Sequence, residues 1–165
     1  MTANATLPAG NTGKSLPCTC FKLRSLTRRV TQLYDRALAP SGLKVTQYSL
    51  IALALRARRS GAPTVSDLAQ SLFTDRTTLT RNLRPLLVAG YVEVGAGTDA
   101  RSKAVHVTAA GEAAFRAARP LWRSAQACMR SLGGAGALAE LHVLVDGLLP
   151  LIDASAGAAG ASAVT

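Results

Sequence analysis

Six residues in one segment have the chemistry to bind nucleic acid: Arg76, Thr77, Thr78, Thr80, Arg81 and Arg84. A guanidinium can bond guanine O6 and N7 together, and a threonine can meet base edges or a thymine methyl group, so this set suits a duplex groove. At about 3.6 residues per turn, Arg76, Thr77, Thr80, Arg81 and Arg84 share one helix face, and Leu79, Leu83, Leu86 and Leu87 the opposite one. Farther on, Asp99, Arg101 and Lys103 stand in a Gly-rich, charged loop. The loop joins 91–95, with Val92 and Val94, to 103–107, with Val105 and Val107. That alternation predicts a half-buried hairpin with a long tip.

A second set of reactive groups is sulfur. Cys18 and Cys20 open the first predicted helix. The free N–H groups and dipole of a helix N-terminus favour the thiolate, so both are candidate redox sensors. A free cysteine serves equally well as a small apolar filler. The Cys18-x-Cys20 spacing is tighter than the usual two to four intervening residues of zinc ligands. Cys128, His106 and His142 are scattered along the chain, so no metal or cofactor is expected. His106 falls out of step with the inward valines and should face solvent.

The charge distribution agrees with a polyanion partner. Nineteen Lys and Arg against nine Asp and Glu give a formal charge of +10 in 165 residues, a field that attracts nucleic acid or an anionic surface. Every cation lies between Lys14 and Arg130, while 131–165 carries Glu140, Asp146 and Asp153. Seven aromatic residues leave a largely aliphatic core. Residues 1–17 lack the apolar stretch of a signal peptide, and apolar runs stop short of the roughly 20 residues that span a bilayer. A cytoplasmic protein with free thiols and no membrane span is the expectation.

The elements that must position these groups follow from periodicity. Leu23, Leu26, Val30, Leu33 and Ala37 predict an amphipathic helix from about Pro17 to Ala39, ended by Pro40-Ser41-Gly42. A second helix runs from Gln47 to about Arg58, capped by Thr46, with Tyr48, Ile51, Ala52 and Leu55 inward. Thr64 and Asp67 form a reciprocal cap on a short third helix with Leu68, Ala69 and Leu72 inward. A turn at Phe73-Thr74-Asp75 leads into the Arg76–Arg84 helix, where Pro85 predicts a bend near 81–85. After the hairpin, Thr108 caps a helix to about Arg130 with Phe115, Ala118, Leu121, Trp122 and Ala125 on one stripe. Gly133 to Gly136 break it, and a last helix spans roughly Ala137 to Ile152.

The expected fold is mainly α with a small β-hairpin wing, a winged helix-turn-helix at about 46–107. Dimerisation helices at about 18–39 and 108–153 flank it, because their apolar faces exceed what one small reading head covers. One domain, 17–153, lies between a disordered leader, 1–16, and a flexible tail, 154–165.

Several motifs together carry a family resemblance over roughly 18–152. The run Asp75-Arg76-Thr77-Thr78-Leu79-Thr80-Arg81-Asn82-Leu83, the run Leu87-Val88-Ala89-Gly90-Tyr91-Val92-Glu93, the Asp99-x-Arg101 loop and Thr108-x-x-Gly111 resemble MarR-type transcriptional regulators. The resemblance implies a homodimer on palindromic double-stranded DNA, usually a repressor, released by a small phenolic molecule or an oxidant. It implies base contacts from the helix face, with Arg81 foremost and Arg84 divided between base and phosphate. It also implies Arg101 in the minor groove, oriented by Asp99, with Lys103 on phosphate. Cys20, followed after fourteen residues by Tyr34, is similar to the organic-hydroperoxide sensing branch. Arg24 and Val45 stand where that branch has two further tyrosines.

Rival readings are narrower. No Ser/His/Asp or Cys/His arrangement and no paired carboxylates support an enzyme. A non-specific architectural DNA binder would hold phosphate alone; the threonines of the reading face speak for base contacts. Arg24, Tyr48 and Trp122, with Leu33, Tyr34, Ile51 and Phe115, could line a pocket for an aromatic acid, or the rings could simply fill the core.

Overall fold

The computed structural model describes residues 18–58, 61–97 and 102–162, without the side chains of 135 and 156–162. The chain divides after Ala125 into two compact units.

In the first unit, helix α1 spans Thr19–Leu38. Its apolar stripe buries Tyr34 and Leu38 but leaves Leu23 and Leu26 47% and 43% exposed. A single 3-10 turn, Ala39–Ser41, ends at Gly42, whose φ of 73° suits a residue without Cβ. Helix α2, Val45–Ala57, starts two residues before the expected Gln47, because side chains other than Thr46 supply its cap. Val45 N donates to Asp35 Oδ1 at 2.8 Å and Lys44 N to Gln47 Oε1 at 2.8 Å. Thr46 sits inside the first turn.

Helix α3, Val65–Ser71, has the expected reciprocal cap: Thr64 N donates to Asp67 Oδ2 at 2.9 Å and Asp67 N to Thr64 Oγ1 at 3.1 Å. Helix α4, Arg76–Val88, buries Leu79, Leu83 and Leu86. Leu87 is 40% exposed, against expectation. At about 100° per residue it lies between Arg76 and Thr80 on the wheel, outside the buried arc. The helix continues without a break through Pro85, where a bend is expected. Pro85 and Arg81 are both exposed, so the Arg81 carbonyl that loses its N–H partner lies where water can reach it.

Strands β1, Val92–Ala96, and β2, Lys103–Val107, pair antiparallel with Val92 opposite Val107 and Val94 opposite Val105. Val92 and Val105 are buried; Val94 is partly open. On its other edge β2 meets the approach to α3, through the Thr64–Ala104 bridge and Val105 N donating to Pro63 O at 2.8 Å. Helix α5 begins at Ala109, capped by Thr108 Oγ1, which accepts from Gly111 N at 3.1 Å. One apolar cluster holds the unit together: Leu38 from α1, Leu50 and Ile51 from α2, Leu68 from α3, Leu79 and Leu86 from α4, Val92 and Val105 from the wing, and Ala118 from α5. Each buried leucine or isoleucine contributes about 1.5–3 kcal/mol.

From Gln126 the second unit is helical to Ser162, apart from Gly134 at φ 72°, ψ 155°, within the expected glycine break. Among its described side chains none is buried. Val143, Leu144, Leu151 and Ile152 are all more than half exposed. Among the described residues no single helix is long and apolar enough to cross a membrane.

Candidate nucleic-acid interface

Burial of Leu79, Leu83 and Leu86 fixes the rotation of α4, and the rest of its circumference presents Thr77, Thr80, Arg81 and Arg84, with Arg76 at the flank of the buried arc, all exposed. The first turn is further organised by Asp75. Its Oδ1 accepts from Thr78 N at 2.8 Å and its Oδ2 from the Thr78 hydroxyl at 2.7 Å. These bonds, the hydroxyl's first, hold the Asp75 carboxyl below its usual range. Thr78 is thereby engaged in the cap, and Thr80 Oγ1 donates to Arg76 O at 2.7 Å. With its hydroxyl committed to the backbone, Thr80 has its methyl group left for outward contact. The face therefore combines three guanidiniums with small apolar groups, a composition suited to phosphate and base edges together.

The wing stands beside this helix, with Lys103 exposed at the start of β2. Asp99 and Arg101 lie outside the described residues. His106 faces solvent as the alternation predicts. The wing root is clamped. Thr108 Oγ1 donates to Gly90 O at 2.6 Å and Thr108 N to Tyr91 O at 3.1 Å.

The sulfur groups are separate from this surface in the sequence and in the helices. Cys18 is the N-cap of α1, Cys20 lies in its first turn, and both are exposed. Tyr34 is buried, and fourteen residues of helix place it about 21 Å farther along the axis, so the two do not meet within the chain. Cys128 is exposed. Among the described residues no group of three His, Cys, Asp or Glu side chains is placed to hold a metal ion.

Tyr48, Phe115 and Trp122 do converge: the Tyr48 ring stacks on Phe115 at 4.8 Å and on Trp122 at 5.7 Å between centroids. With Tyr48 only 5% exposed, these rings fill space rather than enclose it. Burial pushes the Tyr48 phenol up, opposed by the charges of Arg119 and Arg123, whereas Arg24 stands exposed on α1. Open volume lies elsewhere. A cleft of about 530 Å³ is lined by Leu55, Arg56, Phe115 and Arg119, and another of about 290 Å³ by Val45, Thr46, Ser49, Leu72, Thr74, Thr78 and Asn82. Sequence reasoning missed Arg56 and Arg119, which come together only once α2 packs on α5. It also missed Glu112, which pairs with Arg58 and, one turn away on its own helix, with Arg116 at 3.5 Å. Only the Glu112–Arg116 spacing is a signal legible in the chain.

No protein-family model matches the chain, and no curated protein is similar to it. Solved structures are similar. The M. tuberculosis transcriptional regulator MosR, in complex with DNA, is 39% identical with a TM-score of 0.74, over 84% of this chain and 98% of that one. A second MosR structure is 37% identical with a TM-score of 0.73, over 84% and 97%. A MarR-family transcriptional regulator from a Rhodococcus species, 19% identical over 79% and 92%, shares the fold with a TM-score of 0.67. An identity of 39% across nearly all of MosR, on the same helix-turn-helix and wing, settles the relationship: the chain belongs to the MarR family of winged helix-turn-helix transcriptional regulators.

Proposed function

We propose that the protein is a sequence-specific, double-stranded DNA-binding repressor that acts as a homodimer on a palindromic operator. The single observation that carries this reading is the exposed face of α4, with Arg76, Arg81 and Arg84 held outward by the burial of Leu79, Leu83 and Leu86. The similarity to MosR, solved in complex with DNA, supports it. Arg81 and Thr77 read bases, Arg76 and Arg84 hold base or phosphate, and Thr78 and Thr80 shape the first turns. Lys103 holds phosphate beside Arg101 and Asp99. The partner for dimerisation is a second copy, because the apolar residues of α1 and of the segment after Gly134 are exposed in a single chain.

Release from DNA follows either thiol oxidation at Cys20 or Cys18, which are exposed at the start of α1, or binding of a small aromatic acid. For the acid, the cleft of Phe115 with Arg56 and Arg119 offers a ring surface and two guanidiniums. Anisotropy on the chain's own upstream duplex against scrambled DNA, at fixed salt, tests the reading. Preference for the upstream duplex, lost with an organic hydroperoxide and restored by thiol, is the redox outcome. Preference that survives oxidation but falls with salicylate or benzoate is the ligand outcome. Equal binding to both duplexes means an architectural protein instead.

A further inference from the structure

The turn between α3 and α4 holds an aromatic residue in a backbone conformation made for glycine. Phe73 has φ 49°, positive where every other described non-glycine residue is negative. Its N–H donates to Gln70 O at 3.0 Å and the next N–H, of Thr74, to Ala69 O at 3.0 Å. Those two bonds make the paired helix-ending motif whose left-handed position glycine, or sometimes asparagine, ordinarily takes. An L side chain there brings Cβ close to the following carbonyl and is disfavoured. Burial does not compensate: Phe73 is 69% exposed, and among the described residues its ring stacks on no other.

Backbone strain of this kind gathers at active sites, ligand clamps and switch regions. Two residues on, Asp75 caps α4, so Phe73 stands within about 7 Å of chain from the first turn of the reading helix. The N-terminal residues of such a helix are those that enter the major groove. Arg76 and Thr77 follow it in the first turn of α4 and are exposed as well. We infer that Phe73 is a DNA-contacting residue that lays its ring on a thymine methyl group or deoxyribose at the edge of the groove read by α4. An apolar contact with the thymine methyl is an established form of base readout. The inference rests on the reading of α4 given above.

Phe73→Gly separates this role from a structural one. Operator affinity should fall about tenfold, the scale of one base contact. The slope of affinity against salt should stay unchanged, because no charge is removed. The melting temperature should hold or rise, because the strain is relieved. Uracil in place of thymine at the operator edge should weaken the parent protein and leave Phe73→Gly unaffected if the methyl group is the contact. If uracil weakens neither, with the affinity loss intact, the deoxyribose is the contact. Unchanged affinity in Phe73→Gly, while Arg81→Ala loses sequence preference, overturns this inference alone. Loss of affinity together with a lowered melting temperature makes Phe73 a folding residue and also overturns it. A parent protein without operator preference removes both this inference and the reading of α4.

Discussion

A Cβ built on Gly111 would stand 2.0 Å from the carbonyl oxygen of Tyr91. This glycine is a contact requirement: α5 crosses the wing root so closely that a methyl group has no room. Gly111→Ala should destabilise the winged unit by about 1–3 kcal/mol, the usual cost of overpacking. Urea unfolding checks this through a lower midpoint at an unchanged slope.

The two kinds of DNA contact should separate by mutation. Arg81→Ala should relax preference among operator variants, with a loss on the order of 1–3 kcal/mol at one base position. Lys103→Ala should weaken all duplexes alike and lower the salt slope by about one. Anisotropy titrations at several salt concentrations decide between these outcomes.

Acid should loosen the helix starts before it loosens the core. Asp67 lies below its ordinary value of 3.8, first through the bond from the Thr64 N–H and then that from its hydroxyl. Asp75 is lowered in the same direction by Thr78. A carboxylate lowered by folding contributes fully above its ordinary value and loses that contribution as pH falls through the lowered one. Melting temperature should therefore drop as pH is taken below the ordinary carboxylate range, and less steeply in Asp67→Asn. Circular dichroism melts across that range provide the check. Thr64→Ala, which removes the other half of the cap, should cost about 1 kcal/mol at neutral pH.

Self-association should depend on the segment after Gly134. Leu148→Glu with Leu151→Glu places charge on side chains 49% and 66% exposed in the single chain. The double variant should sediment as a monomer at concentrations where the parent is a dimer, with the circular dichroism of the winged unit retained.

The parts legible in the sequence are those whose cause is local. Thr64 and Asp67 announce the α3 cap by spacing alone, and the valines of the wing announce their pairing by alternation. The exposed face of α4 was legible because the leucines beneath it repeat at helical intervals. Leu87 misled because four leucines look like one stripe until each is placed on the wheel. The start of α2 was hidden because its cap is Asp35, ten residues earlier and on another helix. Arg56 and Arg119 share a cleft only after α2 and α5 pack. Phe73 gave no sign of its conformation, since a local rule would have placed glycine there.

Strand β2 is bonded on both edges, to β1 and to the chain just before α3. Both neighbours, strand β1 and the Pro63–Thr64 segment that makes a single bridge to it, come before it in sequence. Neither neighbour alone satisfies its backbone, so the wing and the approach to the helix-turn-helix are tied through one shared strand. The amide of Val105 should accordingly exchange with solvent deuterium as slowly as the core leucines of α4.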